Sequence, residues 1–167
     1  MSTTPSALQN LFATAAPLFG RPADDPDLKV FLTGLKMWPL PKLDEDDIEI
    51  YHDDEKRGFC LYFVQAERVK LPALAGKPGD TLVFVGCFFY ADGVDDHLSF
   101  RGAMPLDITW SDTASSLVAR LGAPKGEFKS KKTGALTAHR WNAPQPILST
   151  SYDSGGNKLN EVYVGIL

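Results

Sequence analysis

Apolar residues fall first at helical spacing and then, past Pro41, at the spacing of strands. Over residues 6–16, Leu8, Leu11 and Phe12 stand at i, i+3 and i+4, the stripe of an amphipathic helix. Ser6 is placed to cap it and Pro17 to stop it. Residues 24–37 repeat the pattern, with Leu28, Phe31, Leu32 and Leu35 on one face and Pro26 suited to a first turn. Trp38-Pro39 should end this helix, because a residue before proline avoids the helical region. Ile48, Ile50 and His52 then alternate with Glu49 and Tyr51, which reads as a strand. Phe59 to Val64 and Thr81 to Tyr90 are continuous apolar runs of the kind that form central strands. Lys56-Arg57-Gly58 supplies a turn before the first run, and residues 71–80 a loop rich in proline and glycine before the second. Asp92-Gly93 is a hairpin signal leading into His97 to Phe100.

The last third follows the same logic. Ser111 or Asp112 is placed to cap a helix over 112–121, with Gly122 just past its end and Pro124 beyond. Residues 125–134 read as a polar, basic loop. Leu136 to Asn142, Ile147 to Tyr152 and Leu159 to Ile166 read as strands, the last two joined by a hairpin loop at Asp153 to Asn157. Short connections between strands favour antiparallel pairing. The expected fold is one α+β domain over residues 1–167. Its strands begin near Ile48, Phe59, Thr81, Leu136, Ile147 and Leu159. They form a mainly antiparallel β-sheet packed by two N-terminal helices and the helix near residues 112–121.

Composition supports a folded chain. With 44 % apolar and 23 % charged residues it is ordinary for a globular protein, and a domain of this length buries about 70 % of its unfolded surface. The longest apolar run, Leu82 to Ala91, is about half of what a membrane span needs. Met1 to Pro5 has neither the basic nor the apolar region of a signal peptide. Cys60 and Cys87 sit in apolar, aromatic segments and are expected as buried, reduced thiols. A cytoplasmic protein that neither enters nor crosses a membrane is the expectation.

Motifs for catalysis and cofactors are missing. His52, His97 and His139 form no HxxxH or HExxH pattern, and the cysteines lack CxxC spacing. No GxSxG elbow, Walker loop or GxGxxG is present. Residues 52–55 and 92–97 are rich in carboxylates, yet neither matches an EF-hand loop, and polar turn tips explain both. Neither an enzyme nor a bound metal or cofactor is expected. A small enzyme with an acidic metal site remains an alternative, as does an accessory protein of a secretion system.

Charge is the stronger signal. The net −4 conceals two opposed blocks: eleven carboxylates against three lysines over residues 24–55, and six basic residues against Glu127 over residues 120–140. The densest part holds Asp44, Glu45, Asp46, Asp47, Glu49, Asp53, Asp54 and Glu55 within twelve residues, with no lysine or arginine among them. A solvated face is the simplest explanation. The functional one is a surface that steers and complements a basic protein partner. Direct nucleic-acid binding is disfavoured by the acidic balance and by a basic loop, 125–132, whose one interleaved aromatic is Phe128. The tryptophans and tyrosines read mostly as core, with one or two available to anchor an interface.

From Pro105 to Ile166 the chain has a recognisable grammar. Met104-Pro105-Leu106 leads to a helix ending Ala119-Arg120-Leu121-Gly122-Ala123-Pro124. Arg140-Trp141, Ile147-Leu148, Tyr152-Asp153, Gly156 and a final apolar strand follow. This pattern resembles the immunity proteins of bacterial polymorphic and contact-delivered toxins, and also the fold of small outer-membrane assembly lipoproteins. The leading helices and the lead-in from Tyr90 to Gly102-Ala103 fit the immunity group. What that resemblance implies is a cognate toxin as partner, bound and blocked by occlusion of its active site.

Overall fold

The computed structural model describes residues 8–142 and 146–167. The second helix forms where its sequence places it but ends at Gly34, ahead of Trp38-Pro39, with Leu35 as its C-cap and Lys36 already at φ 60°. Here α1 is Leu11–Ala15, α2 is Pro26–Gly34 and α3 is Ala114–Leu121. At the start of α2 the Asp25 carboxylate accepts hydrogen bonds from the Asp27 and Leu28 amides, while Pro26 occupies the first turn. Leu28 and Leu32 are buried by it, and Leu35 just beyond its end. The first helix is shorter than its pattern, and Ser6 lies outside the described residues. The α-helix ends at Ala15, before Pro17 as expected, and the chain continues in a 3-10 turn at Ala16–Leu18 that takes the proline into its first turn. At α3 the cap is neither Ser111 nor Asp112 but Thr113, whose hydroxyl accepts from the Ser116 amide while the Ser116 hydroxyl accepts from the Thr113 amide. Asp112 instead gathers the Thr109 amide, the Ser116 hydroxyl and the Arg120 guanidinium.

Among the described residues seven strands form one antiparallel sheet: β1 Glu49–Asp54, β2 Phe59–Gln65, β3 Leu82–Tyr90, β4 Gly126–Lys129, β5 Leu136–Trp141, β6 Ile147–Tyr152 and β7 Leu159–Gly165. Their order is β1-β2-β3-β7-β6-β5-β4, so β1 and β4 are the two edges. With the helices the class is α+β. Two departures from the sequence pattern have local causes. Residues 125–134 contain β4, held by its pairing with β5 rather than by any apolar alternation of its own. His97 to Phe100 is not a strand. After a 3-10 turn at Val94–Asp96 it crosses the ends of β1–β3 as a strap, with the Leu98 amide on the Glu55 carbonyl and the Phe100 amide on the Tyr90 carbonyl.

One face of the sheet meets the helices. Ile50, Phe59, Leu61, Phe63, Phe84, Phe89, Leu148 and Val162 pack there in a single cluster with Leu11, Leu28, Leu32 and Leu117. At one end of the opposite face Val64, Val83 and Val85 meet Val69 and Leu74 from the segment after β2. Cys60 and Cys87 are free and buried, and burial lifts both thiols far above their usual range. Among the described residues no helix is long and apolar enough to cross a membrane.

Candidate functional site

Strand geometry sorts the acidic residues. Alternation along β1 sends Ile50, His52 and Asp54 toward the helices, and Glu49, Tyr51 and Asp53 to the other face. Three of the eight carboxylates have partners within the chain. Asp54 accepts from the Arg57 amide and from its guanidinium Nε at 2.7 Å, and Arg57 reaches on to the Leu35 carbonyl, which ties the β1–β2 turn to α2. Asp53 Oδ1 lies 3.1 Å from His97 Nε2 in the strap. Glu49 accepts the Tyr62 hydroxyl. The other five, Asp44, Glu45, Asp46, Asp47 and Glu55, are exposed and form no ion pair among the described residues. A turn in which the Asp47 amide bonds the Asp44 carbonyl gathers four of them just before β1.

Beside this acidic edge lies a run of rings, a class of residue that the sequence pattern places mostly in the core with one or two left to anchor an interface. Tyr51 stacks on Tyr62 at 4.7 Å, Tyr62 meets Phe88 at 5.8 Å, and Phe88 meets Tyr163 at 4.6 Å. Tyr90 continues from Phe88 and stacks on His97 at 3.8 Å. The run crosses four strands on the face away from the helices. Tyr51 is 50 % exposed, Tyr62 and Phe88 are half-buried, and Tyr90 and Tyr163 are buried. Two glycines make room for it. A Cβ at Gly86 would lie 2.6 Å from the Tyr163 ring, and one at Gly165 would meet its hydroxyl at 2.1 Å. The signal that could have found this surface is the set of aromatics at alternate positions opposite the buried Phe59, Leu61 and Phe89.

Glu161 on β7 lies beside Tyr90 in register. Burial first, and the charge of Asp95 second, push its carboxyl up to about 7, against the pull of His97. The folded chain therefore holds this proton to higher pH than the unfolded chain, whose ordinary value is 4.5. The associated stability is complete below 4.5, is lost as pH rises toward 7, and changes no further above it. The loss is on the order of 2 kcal/mol once solvent access to the carboxyl is allowed for. Glu161→Gln should remove that decline, read as the difference in urea midpoint between parent and variant at pH 5 and pH 8. Equal differences at the two pH values would show that Glu161 ionises as freely in the fold as outside it.

The basic residues collect at the far edge. Lys125, Lys129, Lys131 and Lys132 lie in or beside β4, where Lys129 pairs with Glu127 at 3.0 Å. Six strand spacings of about 4.8 Å put the acidic and basic edges roughly 29 Å apart. The densest part of the acidic block and the lysines of the basic block thus lie at opposite edges of one sheet. Among the described residues no group of three or more His, Cys, Asp or Glu side chains is placed to hold a metal ion. What this arrangement offers is a charged edge and an aromatic face, the ingredients of recognition by contact. No family model, curated protein or solved structure matches the chain.

Proposed function

We propose that this chain is a protein-binding module that takes a basic partner on the acidic edge and the aromatic face beside it. One observation carries the reading: five carboxylates with no ion pair among the described residues flank the exposed Tyr51 ring along a single edge of the sheet, β1. The carboxylates supply long-range attraction, and the stacked rings supply apolar contact area with polar tips. The resemblance of residues 105–166 to immunity proteins makes the partner, in this reading, a cognate bacterial toxin. The chain would block it in the cytoplasm by covering its active site or a basic substrate groove. Binding, not catalysis, is the activity proposed.

The test starts from the neighbouring gene. Its product should be a large protein with a toxin domain at its C-terminus. Producing that domain alone should arrest growth, and producing it with this chain should restore growth and yield a complex that survives gel filtration. Growth arrest that persists at full expression of the folded chain would remove the immunity reading.

A further inference from the structure

We infer that the partner is engaged by strand addition: an extended, basic segment pairs with the free edge of β1. It would carry lysine or arginine opposite Glu49 and Asp53, and an aromatic or arginine side chain opposite Tyr51. The inference rests on the proposed function and specifies how that same edge is used.

Backbone polarity sets the geometry. The Gln65 amide donates to the Ile48 carbonyl, so these two are a hydrogen-bonded pair of the antiparallel ladder. The register then makes Ile50–Phe63, His52–Leu61 and Asp54–Phe59 the next such pairs. Glu49, Tyr51 and Asp53 fall between them, and their amides and carbonyls turn away from β2. Among the described residues no strand lies beyond β1 to receive those groups. Edge strands are ordinarily guarded by brevity, proline, bulges or charge. Here β1 runs for six residues with no proline and an unbroken register against β2, so charge is its guard. Negative charge repels another acidic edge and admits a basic strand.

Side-chain placement selects the incoming segment. Residues paired across two strands share a face, so those opposite Glu49, Tyr51 and Asp53 would lie on the aromatic face. Glu49 and Asp53 are four residues apart, which calls for basic side chains at i and i+4. Both carboxylates are already held, by Tyr62 and by His97, and each keeps acceptor capacity for a further donor. Between them the Tyr51 ring, backed by Tyr62, presents a flat π surface suited to an aromatic ring or a guanidinium.

The probe is the peptide acetyl-Thr-Arg-Thr-Tyr-Thr-Arg-Thr-amide, titrated into the full ¹⁵N-labelled chain. Saturable amide shifts are expected at Glu49, Tyr51 and Asp53. Methylating the backbone nitrogens of the two arginines and the tyrosine removes the donors that face β1, and should weaken binding at least ~10-fold. Tyr51→Pro, which deletes the central outward amide without altering charge, should do the same while leaving spectra of β5–β7 unchanged. The absence of β1 shifts at millimolar peptide would overturn strand addition. So would equal binding of the methylated peptide, even where neutralising Asp44 to Asp47 still weakens the toxin complex; in that case the acidic docking reading would survive alone. Sedimentation at low salt should show a monomer. Self-association abolished by Tyr51→Pro would assign the edge to the basic β4 of a second copy and likewise overturn the proposal.

Discussion

Gly58→Ala is expected to lower stability by about 3–5 kcal/mol, a loss in the range reserved for severe backbone conflict. Gly58 sits in the β1–β2 turn with φ +74°, a region that costs side-chain-bearing residues roughly 1 kcal/mol. Space is the larger problem. A Cβ there would lie 2.1 Å from the Leu98 carbonyl oxygen and 2.4 Å from the Phe100 nitrogen. Both contacts are backbone, so no side-chain rotation relieves them. The strap would have to lift, straining the bonds from the Leu98 amide to Glu55 and from the Phe100 amide to Tyr90. His97, and with it the Asp53 contact, would move too. Gly76→Ala is the control, since Gly76 has φ +82° but nothing within 4 Å of its Cβ position. It should cost about 1 kcal/mol. Urea midpoints of the two variants separate conformational strain from close approach. Equal losses would mean that the strap does not press on the turn.

How much of this was legible in the sequence depends on the range of the forces involved. The second helix is a local matter: Asp25 caps, Pro26 starts, and Leu28, Leu32 and Leu35 share a face within one short segment. Six strand starts were visible for similar reasons. Strand β4 was not, because Gly126-Glu127-Phe128-Lys129 has no buried face and becomes a strand through its partner β5. The aromatic face was hidden in β2 and β3, where both faces are apolar and nothing local says which one the helices cover. Acidic density was plain from residues 44–55. Its meaning depends on β1 being an edge, which follows from the order of all seven strands. The tied states of Glu49, Asp53 and Asp54 depend on Tyr62, His97 and Arg57, which the chain brings in from the paired strand, the strap and the turn.

Those ties decide which variant probes binding and which probes folding. Asp54→Asn would loosen the Arg57 bridge between the turn and α2, and should show mainly as reduced stability. Asp44, Glu45, Asp46 and Asp47 are exposed. Replacing all four by Asn or Gln should leave the urea midpoint within about 0.5 kcal/mol of the parent. Association with a basic partner should fall on the order of 100-fold at low ionic strength, because steering scales with the charge that faces the incoming molecule. Dissociation should change less, since near-surface charges act chiefly on encounter. Screening sets the salt dependence: the Debye length shrinks from about 10 Å at 0.1 M to about 3 Å at 1 M.

The deciding measurement is the association rate of parent and fourfold variant with the cognate toxin domain, taken by stopped flow across that salt range. The parent should begin fast and fall steeply, the variant should begin slow and stay nearly flat, and the two should converge at high salt. Superimposable curves at every salt concentration would show that the acidic edge is a solvated surface and that the partner binds elsewhere.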